Sequence, residues 1–182
     1  MSRNYKFHTQ EKPHFITFSV VKWIDAFTRI QYREILLDSI KYCQQNKGLE
    51  VYAWVVMSNH VHMIIGTQNL PMQGIIRDLK KHTSKSIVKV IRENEQESRR
   101  DWLIWMFERE GKRNPNNEVH QFWQQDNHPI ELYSNEVMQQ KLDYIHNNPV
   151  KAGWVDEPQH YLYSSARDYG GGKGLLDVIL MV

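Results

Sequence analysis

Regular spacing of apolar residues divides the chain into candidate strands and helices. Runs rich in β-branched and aromatic residues, typical of strands, occur at 14–21, 49–57, 60–66 and 119–123. Apolar residues three and four positions apart, typical of amphipathic helices, occur at 31–46, 72–92 and 134–147. Pro149 is expected to end the last helix near Asn148, because the residue before a proline disfavours helical geometry. Residues 101–110 are expected to form a short helix or strand.

The order of these elements predicts the fold class. Only Ser58 and Asn59 separate the strands at 49–57 and 60–66, so the two strands should pair as a hairpin. The order therefore predicts an α+β fold, an antiparallel β-sheet with helices packed on its faces. A length of 182 residues fits one domain. We place this domain at 1–168 and a glycine-rich C-terminal tail at 169–182.

Composition excludes several broad classes. The chain is 41% hydrophobic and 12% aromatic, which is typical of a globular domain and not of a disordered chain. Cys43 is the single cysteine, so we expect no internal disulfide and a reducing, cytoplasmic location. The first residues carry no apolar signal segment and no apolar run reaches about 18 residues, so we expect no contact with a membrane. The net charge of +2 does not by itself indicate a nucleic acid partner.

Basic residues are concentrated on the longest predicted helix. Lys81, Lys85 and Lys89 recur every four positions and therefore share one ridge, with Arg77 and Lys80 beside it. Repulsion along this ridge is unfavourable unless a polyanion lies against it, so these residues are candidates for contacts to DNA phosphates. A solvated helix face shows the same charge pattern and is the simpler interpretation of the pattern alone.

Two histidines lie on an otherwise apolar strand. His60 and His62 are two positions apart within the run 54–65, so both side chains point to the same face of the strand. Paired imidazoles are costly to bury unless something binds them, and neutral imidazole is the commonest protein ligand of metals. The pair therefore predicts a divalent metal site, although histidines at a solvated strand end would give the same pattern. Two imidazoles by themselves favour Mn²⁺, Co²⁺ or Zn²⁺ over Mg²⁺.

The histidines and a later segment together resemble a known family. His60-Val61-His62 resembles the His-hydrophobic-His motif of HUH nucleases, and residues 143–155 (DYIHNNPVKAGWV) resemble the tyrosine helix of single-tyrosine transposases. The resemblance is to the REP-associated tyrosine transposases, relatives of the small insertion-sequence transposases, and covers most of residues 14–168. Further matches are the strand at 15–20, the basic helix around 79–81, the pair Phe122-Trp123 and the segment 163–166.

This resemblance implies a ferredoxin-like HUH fold and an enzyme that cuts and rejoins single-stranded DNA. His60 and His62 resemble two of the family's metal ligands. Asn148 resembles the third ligand, and Tyr144, one turn earlier on the same helix face, resembles the nucleophile. The family uses Mg²⁺ or Mn²⁺, which the resemblance implies as the cofactor here. Without the resemblance, Tyr144 would be an ordinary amphipathic helix residue and Asn148 a turn former.

The implied reaction is a phosphoryl transfer through a covalent intermediate. The phenol of Tyr144 would attack the scissile phosphorus, stay linked to the 5′-phosphate and release a 3′-hydroxyl, so the strand could be rejoined without ATP. An ordinary tyrosine has a pKa of about 10 and is a poor nucleophile at neutral pH. A metal would therefore have to polarise the phosphate and offset its developing charge.

The sequence thus predicts a metal-dependent transposase of the HUH single-tyrosine type that acts on single-stranded or hairpin DNA. The alternatives are a metal-dependent DNA hydrolase that forms no covalent adduct and an inactive hairpin-binding protein. The hairpin recognised, and whether the chain acts as a monomer or a homodimer, stay open. The segments 93–118 and 124–129 depart from the family pattern, which bears on the DNA sequence recognised more than on the chemistry.

Two further sets of residues have open roles. His146 lies about 200° around the helix from Tyr144, so it is either a structural hydrogen-bonding residue or a proton shuttle. Four tryptophans are candidates for stacking on DNA bases, but most of them are expected in the hydrophobic core. These four are Trp102, Trp105, Trp123 and Trp154.

Overall fold

The computed structural model describes residues 12–68, 70–115, 119–125 and 127–181. Its strands are β1 (His14–Ser19), β2 (Leu49–Val56), β3 (His60–Thr67) and β4 (Ile130–Glu131). Its helices are α1 (Ile30–Lys47), α2 (Met72–Glu93), α3 (Arg100–Lys112), α4 (Asn135–Lys151) and α5 (Ala166–Tyr169). Residues 1–11, 69, 116–118 and 126 of the predicted domain, and residue 182 of the predicted tail, lie outside the described residues.

The strands of the described ranges form one antiparallel sheet in the order β2-β3-β1-β4. β2 and β3 pair as the hairpin that their spacing predicts. β1 pairs with β3 so that His14 lies opposite Ile65 and Ser19 lies opposite His60. The predicted α+β class, with helices on an antiparallel sheet, is confirmed.

The register assigns each strand residue to one of the two faces of the sheet. Directly opposed residues of antiparallel strands point to the same side, so Thr17 of β1 shares a face with His62 of β3. α4 covers this face, since its Tyr144 lies against His62. Phe18 points to the other face, where it contacts Trp123, and the indole N–H of Trp123 donates a hydrogen bond to α2. Different helices therefore cover the two faces.

The main hydrophobic core lies between the sheet and the helix pair α1 and α2, which pack on each other. α1 ends at Gly48, whose φ of 67° is the left-handed conformation that glycine adopts readily at a helix C-terminus. None of the helices in the described part of the chain is long and apolar enough to span a bilayer. The largest fully buried aromatic side chains are Phe18, Phe27, Tyr32, Trp54, Phe107 and Phe122.

The strand predicted at 119–123 is wrong. Trp123 makes a single bridge to Val20, and the strand that pairs with β1 on this side is instead the short Ile130–Glu131. Phe122 and Trp123 are both buried although they are adjacent in sequence, which is not the alternation of a half-buried strand. Aromatic packing, and not a run of strand pairing, therefore explains this apolar segment. The ambiguous segment 101–110 is helical and belongs to α3.

The predicted end of the last helix near Asn148 is also wrong, because α4 continues to Lys151 with Pro149 inside it. A proline breaks a helix through its missing N–H and its clash with the preceding turn. Pro149 occupies the final turn, so few helical hydrogen bonds are affected. The helix closes beyond it, where the Ala152 N–H donates to the Asn148 carbonyl and the Trp154 N–H donates to the Pro149 carbonyl.

The C-terminal residues lie along the outer side of β2. The Ser165 N–H donates to the Trp54 carbonyl, and further on the Ile179 N–H donates to the Val51 carbonyl. Leu176 is only 3% exposed. The segment predicted as a tail therefore contacts the sheet in its described part, through residue 181, while the domain boundary at residue 168 stays a prediction.

Candidate active site

His60 and His62 lie side by side on the sheet face that α4 covers. Their ring centroids are 4.7 Å apart, and His62 is only 5% exposed. Burial lowers the pKa of His60. Burial, followed by the nearby charges of His60 and Lys141, lowers the pKa of His62 to about 3. Both rings are therefore neutral at neutral pH, which is the form of imidazole that binds a metal.

A chain of hydrogen bonds from Asp25 fixes the tautomer of His60. Asn59 Nδ2 donates to Asp25 Oδ1 at 3.0 Å and to the Trp23 carbonyl at 3.3 Å. The amide oxygen of Asn59 consequently faces His60, and His60 Nδ1 donates to it at 2.7 Å. The lone pair of the His60 ring is therefore on Nε2.

Two residues of β1 hold the second imidazole. Thr17 Oγ1 and His62 Nδ1 share a hydrogen bond of 2.7 Å. Phe15 stacks on the His62 ring with the centroids 5.5 Å apart. Because Nδ1 of His62 is engaged on the sheet side, Nε2 is the atom directed toward α4. The Nδ1 atom of each imidazole is thus held by a neighbouring side chain, and Nε2 is the atom through which each ring would bind a metal.

Tyr144 projects from α4 onto the histidine pair of the same chain. Its hydroxyl lies 3.5 Å from His62 Nε2, although the two residues are 82 positions apart in sequence. The Phe15 ring meets the Tyr144 ring edge-on at 5.9 Å. The ammonium groups of Lys141 and Lys151 each lie 5.9 Å from the centroid of the Tyr144 ring. Tyr144 is 40% exposed, so a ligand from solution can reach it.

Asn148 lies half-buried in α4, one turn after Tyr144, so the two side chains share a helix face. Across the described ranges, no group of three or more His, Cys, Asp or Glu side chains could hold a metal ion. The donor set predicted from the sequence, two imidazole Nε2 atoms and the Asn148 amide oxygen, therefore stays a prediction. That neutral donor set leaves coordination positions open, and it fits a divalent cation that also binds phosphate.

His146 lies on the opposite side of α4 from Tyr144. Its Nε2 shares a hydrogen bond of 2.9 Å with Ser165 Oγ, and its ring meets the Tyr169 ring at 4.9 Å. The residue is buried, and burial lowers the pKa of its imidazole to about 4. Of the two roles left open by the sequence, the geometry matches the structural one, because His146 fastens α4 to the segment beside β2.

The predicted DNA-binding residues of α2 differ in what they contact. Lys80 is half-buried and donates hydrogen bonds of 2.7 Å to the Gln124 carbonyl and to Asn127 Oδ1. It thereby ties α2 to the segment that follows Trp123. α2 packs on the opposite face of the sheet from Tyr144, so this ridge and the histidine pair are on different sides of the domain. The exposed members of the set are Arg77, Lys81, Lys85 and Lys89.

The expectation that most of the four candidate tryptophans lie in the core is wrong. Trp123 is 5% exposed, but Trp102, Trp105 and Trp154 are 47%, 54% and 43% exposed. Trp102 and Trp105 are three positions apart and share the outer side of α3. The buried side of that helix is supplied by Leu103 and Phe107.

Sequence reasoning missed four residues around the site. The sequence pattern predicts Asn59 only as part of a turn, although it directly precedes His60. Lys141 is three positions before Tyr144 on the same helix, and this spacing could have identified it. Thr17 and Trp23 become neighbours of the histidines only through the pairing of β1 with β3 and the turn that follows β1.

Comparison with known proteins assigns the class. The family model described as "Transposase IS200 like" matches residues 11–110, more than half of the chain. The chain therefore belongs to the IS200-like transposase family, and the relationship inferred from its sequence is confirmed. The matched region includes His60 and His62 and ends before Tyr144.

One particular solved structure is similar over the whole chain. It is described as the REP-associated tyrosine transposase bound to a REP hairpin, and it is 21% identical with a TM-score of 0.66, covering 100% of this chain and 95% of that chain. This likeness shows a shared fold. A bacterial tRNA(His) guanylyltransferase-like protein in complex with GTP is 15% identical over 80% of this chain and 69% of that chain, and its TM-score of 0.39 supports no conclusion. No curated protein matches the sequence.

Proposed function

We propose that this chain is a metal-dependent DNA strand transferase that cuts and rejoins single-stranded DNA through a phosphotyrosine at Tyr144. One observation carries the proposal: the Tyr144 hydroxyl lies 3.5 Å from Nε2 of a buried, neutral His62 in the same chain. Membership of the IS200-like transposase family supports DNA as the substrate. A phenol beside two uncharged imidazoles is an arrangement suited to metal-assisted attack on a phosphate.

The proposed reaction exchanges one phosphate ester for another. The Tyr144 oxygen forms a bond to the scissile phosphorus and its proton is released to solvent. The bond from phosphorus to the 3′ oxygen breaks, and that oxygen takes up a proton from solvent. The products are a 5′-phosphate ester on Tyr144 and a free 3′-hydroxyl. Attack by a 3′-hydroxyl on this ester restores a phosphodiester and frees Tyr144, so the reaction needs no ATP.

His60, His62 and Asn148 would hold a Mg²⁺ or Mn²⁺ ion through the two Nε2 atoms and the amide oxygen. When bound, the ion would supply Lewis-acid stabilisation of the charge that develops on the phosphate. The ligands carry no charge, so they do not neutralise the cation facing the DNA. Lys141 and Lys151 place two further positive charges around the Tyr144 ring and attract the phosphate.

The proposed partner is single-stranded or hairpin DNA. The similar solved transposase is described as bound to a REP hairpin, and we extend a hairpin substrate to this chain as part of the proposal. Arg77, Lys81, Lys85 and Lys89 would contact phosphates along α2, with salt-dependent affinity. Because α2 and Tyr144 are on different sides of the sheet, DNA that contacts both would pass around an edge of the domain. Lys80 would hold the segment that follows Trp123 against α2.

The organisation of the chain completes the proposal. We propose a transposase domain at 1–168, followed by a tail at 169–182 whose described part contacts β2 through Ile179. A DNA substrate implies a cytoplasmic location. A homodimer is not required for the proposed chemistry, because the Tyr144 hydroxyl and His62 Nε2 meet within one chain.

Substituting Tyr144→Phe tests the proposal directly. The variant should form no covalent protein–DNA adduct, because the attacking oxygen is gone, while its affinity for DNA should stay nearly intact. The measurement is a denaturing gel of protein incubated with labelled single-stranded oligonucleotides containing varied hairpins and Mn²⁺, with filter binding on the same samples.

The matched control is Tyr133→Phe, which removes the hydroxyl of a 73% exposed tyrosine just before α4 and should leave the adduct unchanged. Chelation of Mn²⁺ should abolish the adduct of the wild-type protein. An adduct that persists in Tyr144→Phe would show that Tyr144 is not the nucleophile. Cleavage without any adduct would identify a hydrolase, and salt-dependent binding without cleavage would identify an inactive hairpin-binding protein.

A further inference from the structure

Trp23 exposes a large aromatic side chain beside the candidate active site. It is 56% exposed, and its ring centroid lies 5.6 Å from that of His60. The two rings meet at 70°, so the imidazole does not cover the indole as a stacked ring would. More than half of Trp23 is thus open to solvent, and it gains little of the stabilisation that burial of an apolar side chain provides.

The backbone that presents Trp23 is strained. Lys22 and Trp23 both have φ of 55°, in the left-handed region that is unfavourable for residues with a Cβ atom. Hydrogen bonds hold this turn: the Trp23 N–H donates to the Val20 carbonyl, and Asn59 Nδ2 donates to the Trp23 carbonyl. Asn59 also accepts the hydrogen bond from His60, so one side chain fixes both the strained turn and the imidazole. Strained conformations held in this way concentrate at functional sites.

Trp23 and Tyr144 flank the histidine pair. Tyr144 contacts His62, with ring centroids 5.0 Å apart, and Trp23 contacts His60 at 5.6 Å. The His60 and His62 rings lie 4.7 Å apart between them. A DNA strand whose scissile phosphate sits at Tyr144 and the histidines would therefore bring a neighbouring nucleotide to the indole.

We infer that Trp23 forms a stacking subsite for an unpaired base next to the scissile phosphate. This inference rests on the proposed function, because Tyr144 and the histidines mark where the phosphate lies. Every nucleobase offers a flat π-face, so stacking on an exposed indole holds the strand without reading its sequence. The subsite fixes the position of the strand relative to the attacking hydroxyl, while the metal ligands and Tyr144 supply the chemistry.

A comparison of two probes, each with the wild-type chain and a variant, tests the subsite. The probes are a labelled oligo(dT) of about 16 nucleotides, the upper end of the usual single-strand site size, and an abasic sugar–phosphate chain of equal length. Trp23→Ala should bind oligo(dT) roughly 5- to 150-fold more weakly than the wild type, the range expected for loss of one stacked base. It should bind the abasic chain as the wild type does. Trp23→Phe should recover most of the affinity for oligo(dT).

Controls separate a stacking subsite from other causes. Tyr133→Ala removes an aromatic side chain that is 73% exposed, just before α4, and should leave the affinity for oligo(dT) unchanged. Thermal melting of each variant checks that it is folded. An equal loss on both probes, an equal loss in Tyr133→Ala, or no loss in Trp23→Ala would overturn the subsite. If the wild-type protein binds DNA and forms the adduct, and Trp23→Ala binds oligo(dT) with the same affinity, only the subsite is refuted. Wild-type protein that neither binds nor reacts would refute the proposed function and the subsite together.

Discussion

At the scale of single residues, the site depends on which nitrogen of each histidine is left free. Asn59 accepts the Nδ1–H of His60, and Thr17 Oγ1 shares a hydrogen bond with Nδ1 of His62. The two imidazoles are therefore oriented before any ligand binds, with Nε2 directed outward. Side chains that orient metal-binding histidines in this way raise metal affinity without touching the metal.

Thr17→Val tests this orientation. The valine keeps the shape of the side chain but removes the hydroxyl, so His62 loses the partner that fixes its ring. We expect Mn²⁺ to bind about 10- to 100-fold more weakly, the usual effect of removing such a partner. Isothermal titration of the purified protein with Mn²⁺ measures the change.

Two further variants complete the Thr17 experiment. Thr17→Ser retains a hydroxyl and should retain most of the Mn²⁺ affinity. Thr67→Val removes a hydroxyl at the far end of β3 and should have no effect on it. An unchanged dissociation constant in Thr17→Val would show that this hydrogen bond does not support a metal site.

At the scale of secondary structure, α4 joins the chemistry to the scaffold. One side of the helix presents Tyr144 to the histidines, and the other side buries His146 against Ser165. The position of the phenol on α4 is therefore supported by contacts that His146 makes on the opposite side of the helix. Pro149 remains inside the helix near its end, and α4 extends past Asn148, which keeps that residue on the same helix face as Tyr144.

The buried imidazole of His146 should make the stability of the fold depend on pH. Burial lowers its pKa from 6.5 to about 4, so between these values the unfolded chain binds the proton and the folded chain does not. Its contribution to stability is therefore complete above about pH 6.5 and is lost as the pH falls toward 4. His146→Gln removes this titration, so the stability advantage of the wild type over the variant should shrink by about 3 kcal/mol between pH 7 and pH 4.

Urea unfolding at a series of pH values measures this difference. The other buried histidines are present in both proteins and cancel in the comparison. His82→Gln, at an exposed position on α2, is the control substitution. A stability difference that stays constant from pH 7 to pH 4 would contradict burial as the cause of the shift.

At the scale of the whole molecule, the sheet assembles the site from distant parts of one chain. Thr17 and His62 are 45 positions apart and meet because β1 lies next to β3. Tyr144 follows 82 positions after His62 and reaches it because α4 packs on that face. The opposite face of the sheet is covered by α1 and α2, and the main hydrophobic core lies between them and the sheet. Within a single chain, the Tyr144 phenol contacts His62, and His62 contacts His60.

Mixing two inactive variants tests whether one chain suffices. Tyr144→Phe keeps the histidines and lacks the proposed nucleophile, while His62→Ala keeps the proposed nucleophile and lacks a proposed metal ligand. If each site forms within one chain, an equimolar mixture should give no more covalent adduct than the variants give separately. Denaturing gels with the oligonucleotide pool and Mn²⁺ measure the adduct. Adduct that appears on the His62→Ala chain only in the mixture would show that tyrosines and histidines are exchanged between subunits.

The sequence by itself determined the elements whose signal is local. Alternation, helical periodicity and short turns located β1, the β2–β3 hairpin, α1 and α2 close to their observed bounds, since each buries its own apolar side or pairs with its immediate neighbour. The spacing of His60 and His62 placed both imidazoles on one face for the same reason. The string around Tyr144 indicated the family without any knowledge of the fold.

Only the tertiary structure decided the features that depend on partners far along the chain. The apolar segment at 119–123 has the composition of a strand, but packing of Phe122 and Trp123 in the core overrides it, and Ile130–Glu131 pairs with β1 instead. The register of β1 on β3 brings Thr17 to His62, and the turn after β1 brings Trp23 to His60. Side-chain alternation and helical periodicity depend on neighbours in sequence. These contacts instead depend on which elements lie side by side in the fold, and local sequence patterns do not specify that arrangement.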